Sequence, residues 1–125
     1  VLVVDDEPDA RDLVRRVLAE CGADVVTAAT AAEALGAVER HRPHVLVCDI
    51  GMPEVDGYEL LRRIRRLGSD RGGDVPAIAL TAFARSEDRT RALCAGFEIH
   101  VAKPVEPGEL TVTVARVAQK RRPSP

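Results

Sequence analysis

Five short apolar runs separated by amphipathic stretches constrain this chain more than any other feature: residues 1–4, 25–28, 45–48, 77–80 and 99–102. They are rich in β-branched residues and nearly continuous in hydrophobicity, as strands buried on both faces require. Helical periodicity fills the gaps. Pro8 suits a first helical turn, and Ala10, Leu13, Val14, Val17 and Leu18 recur at helical spacing until Gly22 stops the run. Thr30 and Glu33 form a capping box for a second helix, which Pro43 limits. A third stretch directs Leu60, Leu61, Ile64 and Leu67 inward and Arg62, Arg63, Arg65 and Arg66 toward solvent, and a fourth runs from about 86 to 96.

The last stretch sends two conflicting signals. Residues 109–114 read E-L-T-V-T-V, a β-branched alternation that disfavours helix, whereas Pro107 and the spacing of Leu110, Val114 and Val117 favour it. The regular alternation of strand and helix elsewhere decides for helix. Five βα units in 125 residues imply a single α/β domain, an open parallel sheet with helices on both faces. We place the domain at 1–119 and read 120–125, rich in Arg and Pro, as a tail or linker stub.

Composition excludes several classes of function. Eighteen basic and twenty acidic residues give a net charge of −2, so a general polyanion-binding surface is not expected. Tyr58, Phe83 and Phe97 are the only aromatics, too few for a stacking platform for single-stranded nucleic acid. No apolar run is long enough for a membrane span, so no membrane contact is expected. The chain opens on V-L-V-V with neither Met nor a basic leader, the expectation for a domain of a longer protein located in the cytoplasm. Cys21, Cys48 and Cys94 share no metal-type spacing and read as reduced, partly buried thiols, and His41, His44 and His100 form no ligand pattern.

In an open parallel sheet, ligands gather outside the carboxyl ends of the strands. There the chain places Asp5, Asp6 and Glu7 after the first strand, Asp49 after the third, Thr81 after the fourth and Lys103 after the fifth. Three converging carboxylates repel one another, and a hard divalent cation such as Mg²⁺ relieves this. An ammonium, a hydroxyl, a metal and a carboxylate nucleophile are the parts that position and accept a transferring phosphoryl group. Each residue alone has a bland reading, as a helix-start acid or a turn; their joint placement does not.

The runs V-L-V-V-D-D-E at 1–7, D-I-G-M-P-E-V-D-G at 49–57, A-L-T-A at 79–82 and K-P at 103–104 resemble the CheY-like receiver domain of two-component response regulators. The resemblance covers nearly the whole chain and implies a flavodoxin-like (βα)5 three-layer fold with strand order 2-1-3-4-5. It implies that Asp49 accepts the phosphoryl group from phosphohistidine. Asp6, Asp49 and the Gly51 backbone carbonyl would bind Mg²⁺, with Asp5 acting through water. Lys103 would hold a phosphoryl oxygen and Thr81 would move to bond the phosphoryl group. Met52, Pro53 and Gly57 would shape the acceptor loop, and Gly51 and Phe83 would stand where access of water is tuned. Glu7 is the weakest of the acids, read as a cap of the first helix. One position departs from the family pattern: His100 stands where a Tyr or Phe is usual, and is expected to act as a switch side chain beside Thr81.

The expected partners are a histidine kinase or a histidine phosphotransfer domain, together with self-association through the face of helix 4, strand 5 and helix 5, where Val112 and Ala115 lie off the core stripe. The motifs at 49–53, 80–84 and 100–104 look most like receivers at the C-terminus of hybrid sensor histidine kinases. The isolated domain is expected to catalyse nothing beyond its own phosphorylation and dephosphorylation. One rival is an aspartyl-phosphate phosphohydrolase, which needs D-x-D-x-T where this chain has D-D-E-P-D at 5–9. The other is an interaction module independent of phosphorylation, which would not need a complete acceptor site.

Overall fold

The computed structural model describes residues 1–52, 54–82 and 86–121, with only the backbone described at 86–89, 120 and 121. The strands are β1 (Leu2–Val4), β2 (Val26–Ala28), β3 (Leu46–Asp49), β4 (Ala77–Thr81) and β5 (Ile99–Ala102). They alternate with α1 (Pro8–Glu20), α2 (Ala31–His41), α3 (Gly57–Arg65), α4 (Ser86–Ala95) and α5 (Pro107–Arg121). All pairings are parallel, in the order β2-β1-β3-β4-β5. This is the three-layer, doubly wound arrangement that the alternation implied.

Alternating strand residues feed two cores. Leu2, Val4, Leu46, Cys48, Ala77 and Ala79 pack against α2, α3 and α4 through Val38, Leu60, Leu61, Ile64 and Ala92. Val3, Val47, Ile78, Leu80 and Val101 pack on the other face against α1 and α5, through Val14, Leu18, Leu110, Val114 and Val117. Both faces of every central strand are covered, which explains why these strands read as uninterrupted apolar runs. Among the described residues, no helix is long and apolar enough to cross a membrane.

Local chemistry sets the helix ends. Glu7 is the N-cap of α1 and its carboxylate accepts from the Asp9 amide, the capping role expected of it. Thr30 Oγ1 accepts from the Glu33 amide, while the Glu33 carboxylate reaches back to the Ala29 amide and the Thr30 hydroxyl. α5 is a helix despite its β-branched start. The Glu106 carboxylate accepts from the Gly108 and Glu109 amides, and the Thr111 hydroxyl donates to the Pro107 carbonyl at 2.8 Å. Its last turn reaches Arg121, inside the stretch read as a tail.

Two expectations for individual side chains are corrected. Leu13 does not join the inner face of α1 but is 52% exposed, whereas Leu67, just beyond the end of α3, packs against the core as expected and is partly buried. Arg65 is not a solvated arginine. Its guanidinium donates to the carbonyls of Gly73 (2.9 Å), Val75 (2.7 Å) and Gly96 (3.4 Å), joining α3 to the turn before β4 and the end of α4. Arg65→Met keeps the apolar stem and strands these carbonyls. It is expected to lower stability by about 2 kcal/mol in urea denaturation. An Arg66→Met variant (the exposed C-cap of α3) should stay within about 0.5 kcal/mol. Equal losses in the two variants would contradict the clamp.

Candidate functional site

Parallel strands bring their carboxyl ends to one edge, and strand register sets who meets whom. Val4 pairs with Cys48, so Asp5 emerges beside Asp49, and Thr81 pairs with Ala102, just before Lys103. The Lys103 amide donates to the Thr81 carbonyl at 2.8 Å, and the Ile50 amide to the Leu80 carbonyl at 3.0 Å. The Lys103–Pro104 peptide bond is cis.

The acids and the lysine are in contact. Lys103 Nζ donates to Asp49 Oδ1 at 2.9 Å and lies 3.6 Å from Asp5 Oδ2. Asp49 Oδ1 also accepts from the Gly51 amide at 3.3 Å, and Asp5 Oδ1 accepts from the Glu7 amide at 2.9 Å. Asp5 is 1% exposed, Asp49 7% and Thr81 6%, whereas Asp6 and Gly51 face solvent. Burial pushes the Asp5 carboxyl up, with the charges of Asp49 and Asp6 adding to it, while the Glu7 amide and Lys103 pull it back. Burial alone would lower the Lys103 ammonium. The hydrogen bond to Asp49 and the charges of Asp5 and Asp49 outweigh it and hold the ammonium above its ordinary value.

One carboxylate oxygen from each of Asp5, Asp6 and Asp49 lies within 4.8 Å of the others. Asp5 Oδ2 is buried without a hydrogen-bond partner among the described residues. An oxygen-rich set of this kind, with an orphaned buried carboxylate oxygen, fits a small hard cation such as Mg²⁺. Directly behind it, Cys48 is buried and its Sγ donates to the Asp49 carbonyl; burial and then the nearby carboxylates push this thiol up, so it stays protonated. Cys21 and Cys94 are free and exposed.

The loop after Asp49 is folded tightly back. The Gly57 amide donates to the Ile50 carbonyl at 3.0 Å, and a Cβ at Gly57 would stand 2.8 Å from the Asp49 carbonyl oxygen. Pro53 and Phe83 lie outside the described residues; Met52 is buried beside the site. His100 pairs with Ala79, two residues before the partner of Thr81, so strand alternation puts His100 and Thr81 on the same face. Its Nε2 is buried and lacks a hydrogen-bond partner among the described residues.

The structure brings together Asp5, Asp6, Asp49, Thr81 and Lys103, all of which sequence pattern singled out. It adds three residues that pattern missed: Asp56, Tyr58 and Arg91. With Asp49, Thr81 and Lys103 they line a cavity of about 580 Å³. Asp56 is also the N-cap of α3, its carboxylate accepting from the Glu59 amide. Arg91 comes from α4, the next α-helix after the one that Asp56 caps, and no local signal ties it to the site.

The response regulator receiver domain family model matches residues 1–115. The chain belongs to this family. It is 54% identical over 110 residues to a 14.6 kDa Leptolyngbya boryana protein encoded in the sodA1 3′ region, covering 88% of this chain and 82% of that one. It is 34% identical over 122 residues to the Salmonella typhi sensor histidine kinase RcsC, covering 98% of this chain but 12% of that protein. The receiver spans about half the length of several other curated relatives. A solved CheY-like receiver domain protein from Methanospirillum hungatei superposes with a TM-score of 0.84 at 29% identity, covering 96% of this chain and 93% of that one. The receiver therefore serves two-component signalling.

Proposed function

We propose that this receiver takes a phosphoryl group from the phosphohistidine of a histidine kinase or histidine phosphotransfer domain onto Asp49. The observation that carries this reading is the Lys103 ammonium shared between the buried Asp5 and Asp49 carboxylates, with Asp6 alongside. A carboxylate oxygen of Asp49 forms the bond to phosphorus, the P–N bond breaks, and the imidazole leaves with the electron pair. Asp6, Asp49 and the Gly51 carbonyl would hold Mg²⁺, with Asp5 acting through water; bound there, the ion neutralises charge on the transferring group. Lys103 exchanges Asp49 for a phosphoryl oxygen, and the buried Thr81 hydroxyl turns to donate to the same group. His100, on the face shared with Thr81, follows that turn. Contacts available in only one loop arrangement shift a two-state equilibrium by about 1–3 kcal/mol.

The switch reports to a face that supports self-association. Leu93 of α4, Ile99 of β5 and Val112 of α5 are each at least 42% exposed there, and Ala115 is exposed as well. We place the domain in a cytoplasmic phosphorelay and, following its likeness to RcsC, within a hybrid sensor histidine kinase. Sequencing the full gene tests that context: a kinase core before Val1 would support it, and an effector domain after Pro125 would overturn it.

Incubation with Mg²⁺ and acetyl phosphate tests the reading. Intact-mass measurement is expected to show one added phosphoryl group, absent from Asp49→Asn and from protein treated with EDTA. Sedimentation of the phosphorylated form reports self-association, and His100→Ala should weaken that response while leaving phosphorylation intact. Labelling that survives Asp49→Asn, or steady turnover of phosphomonoesters, would overturn the proposal in favour of a different acceptor or a hydrolase.

A further inference from the structure

Arg91 is a cation with no role in the phosphoryl chemistry described above, yet it lines the same cavity as Asp49, Thr81 and Lys103. Its guanidinium carbon lies 4.2 Å from the centroid of the Tyr58 ring. Tyr58 is itself buried and held edge-on by Phe97, with ring centroids 6.2 Å apart and planes at 76°. A guanidinium held over a ring by cation–π attraction keeps donors that point away from the ring for an anion. Among the described residues, no carboxylate forms an ion pair with Arg91.

The electrostatics of the crevice give this cation a task. Asp5, Asp6, Asp49 and Asp56 put four carboxylates at this crevice, of which Mg²⁺ and the Lys103 ammonium would offset three charges, so a dianionic phosphodonor approaching Asp49 gains from a further cation. A protein donor brings its own docking surface, whereas a small molecule has only the cavity walls. We propose that Arg91, perched on Tyr58, is a specificity-determining residue that recruits small dianionic phosphodonors of the acyl-phosphate class to Asp49. Its guanidinium edge pairs with the donor while an Asp49 carboxylate oxygen bonds to phosphorus. The bond from phosphorus to the acyl oxygen breaks, and the carboxylate leaves with the electron pair. No oxidant or additional proton is required.

The proposal rests on Asp49 being the acceptor, and its test separates the two ideas. Phosphorylation rates are measured in Mg²⁺ with acetyl phosphate, a dianion, and with phosphoramidate, which carries less negative charge. Arg91→Gln is expected to slow acetyl phosphate about fivefold and phosphoramidate less than twofold, with Arg91→Lys between Gln and wild type. Added salt should narrow the gap between Gln and wild type for acetyl phosphate only, since the recruiting charge is solvent-exposed. Tyr58→Leu, which removes the perch, should shift donor preference in the same direction. Equal slowing with both donors would make Arg91 a packing residue and overturn the proposal, as would a donor ratio indifferent to salt in the wild type. Should Arg91→Gln fail to fold, the Lys variant and the wild-type salt series still decide. Failure of wild-type protein to accept from either donor would overturn the acceptor reading, and this proposal with it.

Discussion

Gly57→Ala is expected to destabilise the receiver by about 2 kcal/mol, although alanine is the better helix former and Gly57 opens α3. The added Cβ would lie 2.8 Å from the Asp49 carbonyl oxygen and 2.9 Å from the Ile50 Cα, both main-chain atoms. Neither can swing aside as a side chain does, so the backbone carrying the acceptor must shift. A displacement of the reacting carboxylate by ~1 Å is enough to slow a positioned reaction ~100-fold. Both the urea midpoint and the rate of phosphorylation should therefore fall. Gly36→Ala is the control: inside α2 a Cβ meets nothing within 4 Å, and stability should rise by about 0.5–1 kcal/mol. If the two alanines behave alike, the close approach at Gly57 is not what constrains that position.

Lys103→Met is expected to cost the metal-free protein about 3 kcal/mol at neutral pH, because it leaves two buried carboxylates without their counter-charge. The pH dependence follows from Asp5. Its carboxyl is already raised in the folded state, so the folded protein binds its proton more tightly than the unfolded chain does. A raised acid contributes stability below its unfolded value and loses it as pH climbs through the folded value. Without the ammonium the carboxyl rises further. The deficit of Lys103→Met should therefore be greatest at neutral pH and shrink as pH falls toward the ordinary carboxylate range, because the raised Asp5 carboxyl takes up its proton before that range is reached. Adding Asp5→Asn to Lys103→Met should recover much of the loss, and Mg²⁺ should recover it without a second substitution. Denaturation midpoints across pH decide the matter: a deficit independent of pH would mean that Lys103 stabilises by packing alone.

Strand existence and the acid–lysine cluster were legible because each leaves a dense local trace, whereas strand order came from the resemblance to the receiver family alone. Buried parallel strands must be apolar throughout, and site residues follow directly on strand ends, so finding the strands locates Asp5, Asp49, Thr81 and Lys103. Boundaries shifted by a residue, as at Asp49 and Thr81, because the last strand residue is also the first site residue. What stayed hidden depends on tertiary partners. The arginine pattern of α3 is amphipathic in form, yet Arg65 finds three carbonyls contributed by distant turns. Leu13 falls at the border of the α1 stripe, where helical spacing alone does not say how far the neighbouring layer extends. Arg91 and Tyr58 meet only because α4 lies against α3, a packing that no spacing rule encodes. The helix at α5 was the close decision. Glu106, an unusual capping residue, supplies the local reason that the β-branched alternation concealed.

Strand order also divides the crevice into two mechanical environments. β3, which carries Asp49, is bonded on both sides, by β1 and β4, whereas β5, which leads into Lys103, has β4 alone. Local opening is hardest where every neighbour must be broken and easiest at a rim. The bond between Asp49 and Lys103 therefore spans a gradient of local stability, from the least yielding strand of the sheet to one of its edges. On the proposed reading, a change of charge at the fixed end would be relieved by motion at the yielding end, so the sheet would give the signal a direction before any partner is bound.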